Sequence, residues 1–179
     1  MSKLLVRQAV HRLADVGLVE ARQGAKTRIL DPQRSTDLRL LDLYYRLAPE
    51  TSFAKDLRED VLEKQYTQGL SLLDVFLRKA SPRAAKELAL LFQEDGLLTD
   101  EALFTAAEER FWTRVAELGG NRILLFEVRF WYRALARRPA SPAPVGARHA
   151  FYVELSRRLV SNDAALEYYR DTLRPRRAR

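Results

Sequence analysis

The chain has no cysteine among its 179 residues, which excludes disulfides, thiolate metal centres and thiol catalysis. Histidine is almost as scarce: His11 and His149 are the only two, so a three-histidine metal site cannot be assembled within one subunit. No run approaches the ~18 apolar residues that span a bilayer, and charged residues stand where the apolar segment of a signal peptide would lie. The expectation is a cytoplasmic protein with no membrane partner. Glycine-rich phosphate loops, a nucleophile elbow and a His-Glu-x-x-His run are also missing. The adjacent carboxylates Glu108 and Glu109 point in different directions on a helix and so do not flank one substrate. The chain reads as a binding protein, not an enzyme.

What is present in excess is positive charge. The net charge is +7 and the pI about 9.9, which favours a polyanionic partner, because phosphate contacts and counterion release supply most nonspecific nucleic-acid affinity. Residues 1–34 hold seven Lys or Arg against three acids, and residues 170–179 hold five Arg against Asp171. The second cluster reads as a solvated tail.

The first cluster is patterned. Ser2 is a good helix N-cap, and Val6, Ala9, Val10 and Leu13 recur at helical spacing, leaving Lys3, Arg7 and His11 on the other face. Gly17 is placed to stop the helix. Leu18 and Val19 then start a strand, and a basic turn through Gly24 and Lys26 leads to a second strand around 27–30. This is the order of the second half of a winged helix-turn-helix, whose helix start touches base edges while the wing approaches phosphate or the minor groove. The expected contacts to double-stranded operator DNA are Ser2 (phosphate), Lys3 and Arg7 (base or backbone), and Gln23, Lys26 and Thr27 (wing).

These residues resemble the GntR family of bacterial transcription regulators, whose recognition helix has the form Val-Ser-Arg-x-x-Val-Arg-x-Ala-Leu-x-x-Leu before Gly-Leu-Val and a glycine-bearing basic wing. Met1, Ser2, Lys3, Val6, Arg7, Ala9, Val10, Leu13, Gly17, Leu18, Val19 and Gly24 fall in register with it. The continuation through Ser35, Thr36, Asp37 and Leu38 is most similar to the FadR-like subgroup. In that motif a valine precedes the cap serine where Met1 stands here. The expectation is therefore that Met1 is a GTG valine codon read as an initiator, with two further amphipathic helices encoded upstream in frame.

The expected fold class is mainly α: a partial winged helix-turn-helix at 1–31, a linker at Asp31-Pro32-Gln33-Arg34, and an all-α helical bundle at 35–179. Helices are predicted at 36–48, 53–79, 83–95, 99–118, 122–137, 147–161 and 163–173, with no strand after residue 31. Phe104, Ala107, Phe111, Val115 and Leu118 form one apolar stripe. The segment from Ile123 to Arg137 is apolar almost all round, which predicts burial on several sides, either as plain packing or as the wall of a pocket or dimer seam.

The resemblance implies that the bundle binds a small organic effector and that the protein is a homodimeric regulator. Many relatives of that kind hold a divalent metal with one Asp and three His, the first two as Asp-x-x-x-His before a Gly-Asn turn. Here that stretch reads Glu108-Glu109-Arg110-Phe111-Trp112, then Gly120-Asn121. Trp112 cannot ligate, so no metal and no other cofactor are expected. The effector pocket is expected around Glu108, Trp112, Asn121 and Tyr132, with an acyl-CoA or another carboxylate as ligand. The alternative is a remnant that binds ligand or dimerises without reading DNA.

Overall fold

The computed structural model describes residues 2–21, 24, 26–31, 52–134 and 143–174. Two compact units divide between Arg58 and Glu59. The helix predicted at 36–48 lies outside the described residues.

In the first unit, α1 runs Lys3–Asp15. Its start follows from Ser2, whose Oγ accepts the Leu4 N–H at 3.2 Å, satisfying one of the donors that a helix N-terminus leaves over. Its end follows from Gly17, which takes left-handed backbone at φ 74° while the Leu18 N–H returns to the Leu13 carbonyl at 2.9 Å. That closure suits glycine, which has no Cβ to clash there. The chain then enters β1 (Val19–Glu20), which pairs antiparallel with β2 (Arg28–Ile29) in the register Val19 opposite Ile29 and Glu20 opposite Arg28. The Leu30 N–H extends the ladder to the Leu18 carbonyl at 2.9 Å. No residue of α1 is buried, and Leu4, Leu5 and Val6 are 64, 58 and 41% exposed.

Among the described residues six further helices follow: α2 (Ser52–Lys79), α3 (Pro82–Leu90), α4 (Glu101–Gly119), α5 (Arg122–Ala134), α6 (Val145–Ser161) and α7 (Ala165–Leu173). Local chemistry sets most boundaries. Ser81 caps α3 with Pro82 in its first turn, Asp100 caps α4 through the Ala102 and Leu103 N–H groups, and Gly120 closes α4 at φ 65°. The predicted helix 83–95 stops at Leu90. Beyond it, Gly96 turns at φ 85° and Leu97 enters the core at 1% exposure, so burial of Leu97 outweighs one more helical turn.

The core joins Leu72, Leu73 and Phe76 of α2, Ala84, Ala85 and Leu88 of α3, Phe104, Ala107, Phe111 and Val115 of α4, Val128 of α5, and Leu155 and Leu159 of α6. Each large side chain withdrawn from water here contributes about 1.5–3 kcal/mol. In the α4 stripe Phe104, Ala107, Phe111 and Val115 are buried as their spacing predicted, while Leu118 at its end is only partly buried. In α5 the expectation of burial on several sides is corrected: Val128 and Trp131 are buried, but Ile123 and Phe126 remain 70% exposed, because only one face of α5 packs against the core. Among the described residues no helix is long and apolar enough to cross a membrane.

Candidate functional site

Two stripes set the site. On α4, Phe104, Glu108, Trp112 and Val115 follow at spacings of three and four, which places them along one helix face. On α6, Arg148, Tyr152, Ser156 and Leu159 do the same. The stripes meet so that Glu108 faces Arg148 and Trp112 faces Tyr152 inside an apolar seam, while the buried Ser156 hydroxyl has no hydrogen-bond partner among the described residues.

The first pair is ionic. Glu108 and Arg148 have side-chain exposures of 7 and 10%. Arg148 Nε–H donates to Glu108 Oε1 at 3.3 Å, and its Nη2–H donates to Glu108 Oε2, giving the fork geometry that a guanidinium makes with a carboxylate. Nη1–H donates to Glu101, which is half-exposed at the start of α4, and the guanidinium carbon lies 4.7 Å from the Phe104 ring centre. Burial opposes the charge on Arg148, but the hydrogen bonds to Glu108 and Glu101 outweigh it and hold the guanidinium above its ordinary pKa.

One turn further, the Trp112 Nε1–H donates to Tyr152 Oη at 2.9 Å. Tyr152 also stacks on Phe92 at 4.7 Å and meets Phe111 edge-on at 5.3 Å. Burial, and next the negative charge of Glu108, push the Tyr152 phenol well above its usual value, so it stays neutral. Trp112 stands edge-on to Tyr169 of α7 at 5.7 Å. Tyr132 packs partly buried against the same core and raises the pKa of both Tyr152 and Tyr169.

Of the four residues predicted to border an effector pocket, Glu108, Trp112 and Tyr132 therefore gather around this cluster. Asn121 stands apart. It lies about two and a half helical turns beyond Trp112, and its Oδ1 accepts the Ile123 and Leu124 N–H groups at 3.1 and 3.2 Å as the cap of α5. Arg148, Tyr152 and Tyr169 join the site without having been singled out from sequence. The i, i+4 spacing of Arg148 and Tyr152 matches that of Glu108 and Trp112, but only the packing of α4 on α6 pairs them.

These groups do not fit a metal. The Glu108 carboxylate is held by Arg148, and the Trp112 nitrogen is a donor without a lone pair to give. Among the described residues no cluster of three or more His, Asp or Glu is placed to hold a cation.

In the first unit, Lys3, Arg7 and His11 are exposed along α1, and Lys26, Thr27 and Arg28 are exposed at the hairpin. Ser2 is committed as the α1 cap, and Gln23 lies outside the described residues. No protein-family profile matches the chain, and no curated protein matches its sequence.

Proposed function

We propose that the protein is a DNA-binding transcription regulator of the GntR type, FadR-like, that works as a cytoplasmic homodimer and senses a small organic effector in its helical unit. The observation that supports this reading is the first unit: a serine-capped helix, a left-handed glycine, and a two-strand hairpin tied back through Leu18, with Lys3, Arg7, Lys26 and Arg28 all exposed. That succession presents cations on a helix start and on a loop, as groove-reading helices and wings require. The cluster of Glu108, Arg148, Trp112, Tyr152 and Tyr132 supports the sensing role, because binding sites pair apolar walls with a few convergent polar groups.

The test is binding to duplex promoter DNA, followed by anisotropy between about 50 and 200 mM salt. Affinity should fall steeply with salt, and Lys3→Ala with Arg7→Ala should reduce the log–log slope by roughly two. Binding that is weak, salt-insensitive and indifferent to both substitutions would leave the second reading, a ligand-binding or dimerising protein that does not read DNA. The lack of any buried residue in α1 favours that reading, since such a helix is poorly held for base contact.

A further inference from the structure

Helix α7 is joined to α6 through Asn162, Asp163 and Ala164, and two of these three hold left-handed backbone, φ 53° at Asn162 and 44° at Ala164. Asparagine tolerates that conformation, whereas alanine is strained in it because Cβ crowds the following carbonyl oxygen. The helix has nine residues and no side-chain cap at its start, so it is marginal on its own. Its buried residues are Ala165 and Tyr169, each 3% exposed.

Tyr169 fills a shaped slot. Its ring stacks on Tyr66 of α2 at 5.8 Å and 10°, stands edge-on to Trp112 at 5.7 Å and 82°, and meets Phe151 of α6 at 6.0 Å. Its hydroxyl donates to the Gln65 main-chain carbonyl at 3.5 Å and occupies the volume that a Cβ on Gly69 would take, with Trp112 Cη2 3.2 Å from that same position. Glycine is a poor helix former in the middle of a 28-residue helix. Here it opens α2 by the width that the phenol needs.

We propose that this slot between α2, α4 and α6 is a binding site for a neutral hydroxyaryl group, and that Tyr169 is its tethered, displaceable occupant. A ligand with a flat ring and one hydroxyl reproduces the stack on Tyr66, the edge contact with Trp112 and the bond to the Gln65 carbonyl, and α7 then swings out on residues 162–164. The inference rests on the effector-sensing reading and names the part of the effector that enters the bundle. Burial raises the Tyr169 phenol well above its usual value, so the slot takes the neutral phenol and rejects the phenolate. A ligand that binds only the displaced form shifts the population toward it, against the high local concentration of the tethered ring.

The probe is p-cresol, with toluene and 4-methylcyclohexanol as controls for the hydroxyl and the flat ring. In the full chain carrying Tyr169→Ala, p-cresol should raise Tm by several degrees, toluene by less, and 4-methylcyclohexanol not at all. In the unaltered chain, p-cresol should speed hydrogen exchange of the α7 amides at least tenfold while those of α4 keep their protection. If Tyr169→Ala does not fold, the exchange measurement on the unaltered chain decides alone. Unchanged α7 exchange at saturating p-cresol overturns the proposal and leaves Tyr169 as packing. Faster α7 exchange with DNA affinity unmoved keeps the slot and rejects its role in sensing, whereas a chain that binds no DNA at all rejects the regulator reading and leaves the slot result standing.

Discussion

Replacing Arg148 with methionine keeps an apolar stem of similar reach and removes the guanidinium, leaving the buried Glu108 carboxylate without its cation. Removing one partner of a buried pair costs about 3–5 kcal/mol, because the remaining charge has lost water and gained nothing. The second partner, Glu101, is 52% exposed, so its share is well under about 1 kcal/mol. The contact with the Phe104 ring adds roughly another 1 kcal/mol. Because Arg148 lies near the rim, the expected loss is at the lower end, about 3–4 kcal/mol, or a fall in Tm of roughly 6–16 °C for a chain of this size. Urea unfolding followed by helical circular dichroism measures it, with the slope unchanged and the midpoint lowered. Without Arg148 the folded state raises the Glu108 pKa above its unfolded value and so binds the extra proton. The deficit should therefore be largest near neutral pH and shrink as pH falls through the raised value. Adding Glu108→Leu to Arg148→Met should recover most of the loss, giving a coupling of about 2 kcal/mol or more. A loss under about 1 kcal/mol that does not change with pH, together with a double variant no better than the single, would mean that Glu108 and Arg148 behave as an exposed pair and that no buried charge is left behind.

Ala164→Gly removes the left-handed strain at φ 44° and should raise Tm by roughly 2–4 °C, on a gain of about 1 kcal/mol; a fall in Tm would show that the hinge is relaxed as it stands. Glu154 is bridged by Arg157 and Arg158, and the Arg157 hydrogen bond leads in lowering its pKa from 4.5 to about 2. Its stabilising contribution is therefore complete above 4.5 and fades as pH falls toward 2, which a carbon-detected carboxyl titration reads directly through a midpoint near 2 or one near the ordinary value. Elemental analysis of protein purified without chelator should find sub-stoichiometric zinc, nickel and manganese, since Arg148 already neutralises Glu108; one tightly held metal per chain would require a ligand set that the α4–α6 seam does not offer.

The parts legible in the sequence are those decided by neighbours along the chain. Ser2 and Gly17 bound α1, Ser81 with Pro82 starts α3, Asp100 starts α4, and Gly120 with Asn121 separates α4 from α5, because capping and left-handed turns are settled within a few residues. The same spacing logic put Phe104, Ala107, Phe111 and Val115 on one buried face. It misled at α5, where an all-round apolar pattern says nothing of how many neighbours arrive, and at residues 91–95, where Leu97 is drawn into the core at the expense of the helix.

For the site, the sequence by its helical spacing put Glu108 and Trp112 on one helix face, and its two histidines cannot build a three-histidine centre. Only tertiary structure decided what they face. Glu108 meets Arg148 and Trp112 meets Tyr152, in each case across forty residues of chain, while Asn121 is drawn into the cap of α5. Gly69 acquires its meaning only once Tyr169, one hundred residues later, is seated in the gap it leaves. Caps and periodicity are local energies that the chain carries with it, whereas a buried ion pair or a filled notch exists only where packing brings two distant stripes to the same place and removes the water between them.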